Sequence, residues 1–172
     1  PERSNTLDVL FSYSASNDLK LSLDLYQFIQ YDLIATDSAN QYQNQGNCKT
    51  RGVELETEWQ PAKAVKIKAN LSHREVVSVT SPDYSIPKDK AYLRLDWAFA
   101  PRWNWDIQSN WIGARTLPAG DPRLPLNAYT LVDTTVRYNP SRDWVFAASI
   151  HNLFDADARE YTSSCLLYTS PS

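Results

Sequence analysis

No long apolar run occurs in the 172 residues; the longest uninterrupted apolar stretches are only a few residues. That lack excludes a helical membrane span, which needs about 20 consecutive apolar residues, and no signal peptide is recognisable. Cysteine is scarce, and Cys48 and Cys165 make neither a disulfide framework nor a zinc site. Histidine is limited to His73 and His151, on different segments and without a Cys or carboxylate cluster at ligand spacing. The four glycines form no phosphate-cradling loop, and no Gly-x-Ser-x-Gly nucleophile motif is present. Net charge is −3 with Lys and Arg scattered, so no nucleic-acid partner is expected. Nothing here nominates a catalytic residue, a metal or a cofactor.

What is present is a regular alternation. With 42% hydrophobic residues, 6 Trp and 10 Tyr, the chain is too apolar for disorder. Mean hydropathy of −0.49 is low for a membrane protein, yet it suits a barrel, where only one face of each strand must be apolar. Leu7, Val9, Phe11 and Tyr13 share one parity, as do Leu19, Leu21, Leu23 and Leu25. Val53, Leu55 and Trp59 alternate with Glu54, Glu56 and Glu58, and Val65, Ile67 and Leu71 with Lys66, Lys68 and Asn70. Period-2 patterns of this kind predict half-buried strands. Eight are expected, near residues 6–15, 19–35, 51–60, 64–79, 90–100, 102–115, 128–139 and 143–154. The fold class is therefore all-β, an antiparallel meander of about eight strands.

Connections alternate strictly between short and long. Residues 15–18, 60–63, 101–102 and 139–143 make short turns, whereas 37–50, 80–89 and 114–127 are long and polar. Outer-membrane barrels have this asymmetry, with short periplasmic turns and longer extracellular loops. Trp59, Trp97, Phe99, Trp103, Trp105, Tyr138, Trp144 and Phe146 gather near the short turns, as a girdle at one rim would. A soluble carbohydrate-binding β-sandwich and a passive outer-membrane porin are the alternatives.

Turn spacing predicts register. Glu58 is expected opposite Lys66, Glu56 opposite Lys68, Glu54 opposite Asn70, Trp97 opposite Trp105 and Val136 opposite Phe146. Each directly opposed ion pair contributes roughly 0.2–1 kcal/mol. Such charges belong on a wet face, because a dry core penalises them. Asp96 facing Asp106 suggests a carboxylate pair for acid–base work, but a solvated pair beside Arg94 accounts for it more simply. Asn70-Leu71-Ser72 matches a glycosylation acceptor and is read as chance within a strand.

Four segments resemble one family. PERSNTLDVLFSY resembles the "KPE-S" strand opening of TonB-dependent receptors, and RGVELETEW (51–59) is similar to their "RGVE-E" strand. NAYTLVDTTVRYNP (127–140) resembles the "Y-LVD" penultimate hairpin, and HNLFDADAREY (151–161) the "-NLFD--Y" motif near the receptor C-terminus. Together they cover most of residues 1–164 in family order. The resemblance implies an open fragment, about strands 14–21, of a barrel of about 22 strands whose lumen is plugged by an N-terminal domain. It also implies location in the outer membrane of a Gram-negative bacterium, contact with outer-membrane lipid, and no enzymatic activity. The implied function is import of a nutrient complex such as an iron–siderophore. The TonB–ExbB–ExbD energy-coupling complex is the implied partner, engaged through an N-terminal part that the chain does not include.

Two further expectations concern what lies outside the motifs. The chain begins with Pro1, which is not a translation start, and the family's final strand after NLFD is missing. CLLYTSPS (165–172) resembles a translated sequencing adapter and is expected to be non-native, the alternative being a natural Ser/Thr/Tyr loop. Cys48 then remains as the one genuine cysteine, in a long loop, and any disulfide partner would lie outside this chain. Ligand-binding residues are unknown from sequence; Arg115, Asp121 and Arg123 lie in a long loop where a ligand could touch them, although an ordinary solvated loop explains them better.

Overall fold

The computed structural model describes residues 1–36, 41–44, 46–78, 86–115 and 125–159. Every helix or strand among them is a strand. Eight form one antiparallel sheet in the order β1-β2-β5-β6-β7-β8-β9-β10. Their ranges are β1 Arg3–Ser14, β2 Leu19–Tyr31, β5 Cys48–Ala62, β6 Val65–Ser78, β7 Asp89–Ala100, β8 Trp103–Ile112, β9 Tyr129–Tyr138 and β10 Phe146–Ile150. The first seven of these run 10 to 15 residues. That is enough to cross a bilayer at a tilt, which takes about 9–11 residues. The expected meander is present, open at both ends.

Sequence and structure part company at β2. It ends at Tyr31 instead of running to residue 35, because Asp32 takes a left-handed backbone (φ 56°). The Asp32 carboxylate accepts hydrogen bonds from Asn44 and Arg3, both at 3.0 Å. These bonds, Asn44 first, hold its pKa below the ordinary carboxylate range. A separate ribbon of β3 (Ile34–Thr36) and β4 (Tyr42–Asn44) follows, which alternation over three-residue strands is too short to signal. Cys48, expected in a loop, opens β5 as a free thiol 4.0 Å from the Thr50 hydroxyl. At the far end β10 is only Phe146–Ile150, so Trp144 stands outside it.

Two registers are displaced by two residues from expectation, and one is as expected. Glu58 lies opposite Lys68, not Lys66, Glu56 opposite Asn70 and Glu54 opposite Ser72. The strand runs on to Ala62 before turning, and an irregularity between Trp59 and Ala62 takes up Gln60 and Pro61. Proline has no N–H for the ladder, so a bulge is its natural place. Phe146 likewise faces Tyr138, because the turn uses residues 139–145. Trp97 faces Trp105 as expected. Shifts of two preserve the side of every residue, since a strand repeats every two.

Among the described residues the eight-stranded sheet has two unlike faces, and no second sheet packs on it. Buried hydrophobic residues among those described are only Leu126 and Val132. On one face Phe11, Leu23, Leu55, Leu71, Ala91 and Trp111 follow one another across six strands. Leu55, Leu71 and Phe11 remain 41%, 53% and 57% exposed, so this face meets no protein core. That excludes the soluble β-sandwich, whose stability rests on two inner faces packed together. Toward the short turns the same face carries linked aromatics. Trp97 lies 6.2 Å from Trp105, and Trp103 stacks on Tyr138 at 4.4 Å. The Trp105 indole N–H donates to Thr134 Oγ1 at 2.6 Å, satisfying a polar group that lipid could not.

Candidate functional site

The opposite face is a wall of polar side chains. One cross-strand row runs Lys20, Glu58, Lys68, Arg94, Gln108, Asp133 over six strands. Lys68 donates to Glu58, Arg94 Nε to Asp106 Oδ2 at 2.6 Å, and Gln108 to Asp133 Oδ2 at 3.1 Å. In the neighbouring row Asn70 donates to Glu56 at 3.3 Å. Charge is segregated along this wall. Asp8, Asp24, Glu54, Glu56 and Glu58 make β1, β2 and β5 acidic, with Lys20 among them. Lys66, Lys68, Arg74, Lys90 and Arg94 make β6 and β7 basic, against Asp96.

Asp96 and Asp106 do lie opposite each other. They share no proton-relay geometry, however. Asp106 is held by Arg94, and Asp96 accepts from Asn104 at 2.8 Å. Each carboxylate has its own donor, which suits a wall and not an acid–base pair. His73 contacts Asp89 at 2.6 Å on the apolar parity, and His151 lies 3.6 Å from Asp133. Among the described residues no group of three His, Cys, Asp or Glu converges as a metal site would require.

The loop residues singled out in sequence are only partly visible. Asp121, Arg123 and the tail 165–172 lie outside the described residues. Arg115 is buried, 7% exposed, and bonds through its backbone to Leu126 in both directions. Its Nη2 donates to the Arg159 carbonyl at 2.7 Å, so it braces the base of the loop against the segment after β10.

A connection that motif reading missed joins β9 to the turn after β10. The Asp133 carboxylate of the LVD segment accepts the Asn152 backbone N–H of the NLFD segment at 2.9 Å. Asn152 in turn closes a ring with Ala156, donating to its carbonyl at 3.1 Å and accepting its N–H at 2.9 Å. Left-handed φ at Asn152 (50°) and Asp155 (51°) makes the turn, and both residue types tolerate that conformation. Polar residues inside otherwise alternating segments were the available signal.

Comparison with known proteins follows from this geometry. A family model described as "TonB dependent receptor-like, beta-barrel" matches residues 1–153. The sheet superposes on the ferric-catecholate import receptor Fiu of E. coli K12 with a TM-score of 0.71 and 16% identity, covering 90% of this chain and 24% of that one. The ferric yersiniabactin uptake receptor FyuA of Yersinia pestis gives 0.73 and 19%, covering 90% and 25%. The FrpB iron transporter of Neisseria meningitidis gives 0.71 and 17%, covering 89% and 26%. The chain thus spans about a quarter of the length of these solved structures. No curated protein sequence matches it.

Proposed function

Because the chain belongs to the TonB-dependent receptor β-barrel family, we propose that it builds part of a receptor wall that binds and imports a nutrient complex such as an iron–siderophore. The family places these strands in the outer membrane of Gram-negative bacteria, and its members are receptors and transporters, not enzymes. The observation that carries the proposal is the eight-stranded sheet with an exposed, aromatic-rimmed apolar face on one side and a charged face on the other, as a wall between lipid and a wet lumen needs. Segregated acidic and basic stripes offer a polar ligand, or a plug domain, many hydrogen-bonding groups.

In this reading residues 1–164 supply about strands 14–21 of a barrel of about 22, and 165–172 are an adapter-derived tail whose coding DNA would carry the adapter. Energy comes from the TonB–ExbB–ExbD complex through an N-terminal part encoded upstream. The iron–siderophore assignment follows the similar structures, which include a ferric-catecholate import receptor and a ferric yersiniabactin uptake receptor. Uptake of a labelled ferric siderophore, measured in cells with and without the full-length gene and with and without TonB, tests it. Loss of uptake in both deletions is expected. Uptake that persists without TonB would instead indicate a passive porin.

A further inference from the structure

Beyond Tyr31 the paired strands β2 and β5 give way to the β3–β4 ribbon. Pairing of β2 with β5 ends at Gln30 and Cys48, and pairing of β3 with β4 starts at Ile34 and Asn44. The two legs between carry the left-handed residues Asp32 (φ 56°) and Gly46 (φ 99°). Among the described residues the ribbon packs against no other strand. Two strands of three residues are also too short to hold a direction by themselves. Whatever fixes the ribbon must therefore lie in its neck.

Side chains cross-link that neck. Asn44 Nδ2 donates to Asp32 Oδ1 at 3.0 Å, and Asn44 Oδ1 accepts the Gly46 N–H at 3.0 Å. The Leu33 N–H donates to the Gly46 carbonyl at 2.9 Å, and the Asp32 N–H to Asn47 Oδ1 at 3.3 Å. These bonds join the two legs to each other. Two more reach the segment that opens β1. Arg3 Nη2 donates to Asp32 Oδ2 at 3.0 Å, and Glu2 Oε1 accepts the Ile34 N–H at 2.8 Å. One Asp32 oxygen thus takes the ribbon and the other takes β1. We propose that this neck is a clamp: Asp32, with Arg3 and Glu2, fixes the ribbon as a preset arm that captures ligand without first closing over it. The inference rests on the receptor reading above, in which long connections face outward. Anchors at both Asp32 and Ile34 fix a direction, where one alone would leave a pivot. Each anchor has an ionised partner, which makes its bond about twice as strong as a neutral one. An arm ordered in advance loses less freedom when a ligand binds, so capture is tighter.

The test uses the full-length protein carrying these strands, in detergent and without ligand. Hydrogen–deuterium exchange is followed by mass spectrometry across the ribbon, with β2 and β5 as internal reference. Slowed exchange at residues 34–36 and 42–44 is expected. Asp32→Gly removes the carboxylate yet suits the left-handed backbone. It should speed ribbon exchange about tenfold, the loss of one charge-assisted contact, and leave β2 and β5 unchanged. Asp32→Asn, which keeps one acceptor on the same backbone, should fall between. Uptake of labelled ferric enterobactin and ferric yersiniabactin is measured in parallel. Asp32→Gly should raise the half-saturating concentration several-fold and leave the maximal rate unchanged. An unprotected ribbon in the unmutated protein, equal exchange in Asp32→Gly, or unchanged half-saturation despite faster exchange would overturn the proposal. If neither siderophore enters cells carrying the unmutated protein, the transport reading fails, and exchange still decides the clamp.

Discussion

At the scale of single residues, Gly52 shows how tightly the polar face is built. A Cβ there would sit 2.4 Å from the Tyr26 ring and hydroxyl and 2.7 Å from the His73 carbonyl oxygen. Tyr26 is its cross-strand partner, so the ring lies over the position a side chain would take. Gly52→Ala should therefore destabilise the protein by about 1–3 kcal/mol, the usual cost of overpacking. Removing the ring with Tyr26→Ala in the same chain should recover only part of this, because the backbone carbonyl cannot leave. Thermal loss of the heat-modifiable form measures both. The RGVE segment containing this glycine was legible as a strand, but not the reason for its glycine, since cross-strand contact depends on a partner 26 residues earlier. Arg115 was misleading for the same kind of reason. In sequence it is a cation of a solvated loop, within reach of a ligand; in the fold its guanidinium is buried against the Arg159 main chain.

At the scale of strands, side was readable throughout, whereas register was readable at Trp97 and Trp105 and displaced by two in the β5–β6 and β9–β10 hairpins. Alternation assigns every β5 residue to a face without reference to its neighbour, so Glu54, Glu56 and Glu58 fall opposite Trp59 as expected. Register depends on where the chain turns, and Pro61 defers the turn through a bulge that alternation does not record. The same holds at residues 139–145, where Trp144 continues the apolar parity without joining the ladder. The two-face assignment has a direct energetic consequence. Leu55 sits near the middle of the apolar band, between Leu23 and Leu71. Leu55→Arg in the full-length protein should cost about 2–4 kcal/mol, as cations do near the bilayer midplane. Glu56→Arg, one residue along but facing the wet side, should cost far less, although it loses the Asn70 contact. Folded yield in the outer membrane, compared between the two, checks this. Equal yields would mean the faces are wrongly assigned.

At the scale of the molecule, the unsolved problem for this sheet is its edges. β1 and β10 each have one paired side and one open side. Every residue of β1 is exposed, with Leu7, Phe11 and Tyr13 at 57–66%. An open edge leaves backbone N–H and C=O groups unpaired, and lipid provides no replacement for them. In water the exposed apolar face adds a second liability, and among the described residues only Leu126 and Val132 are buried hydrophobics to offset it. Joining β1 directly to β10 would demand far tighter curvature than a barrel of about 22 strands, because diameter grows with strand number. β10 is also five residues long against the twelve of β1, so most of that edge would stay unmatched. The 172-residue chain expressed alone is therefore expected to aggregate, with no bilayer conductance and no siderophore uptake. Supplying the remaining strands in one polypeptide should pair both edges and restore a heat-modifiable monomer. The comparison is made by extracting both forms in the same detergent and recording gel mobility and single-channel current. A detergent-stable, conducting monomer of the 172 residues would show that eight strands close on themselves, and the assignment to a larger barrel would fall with it.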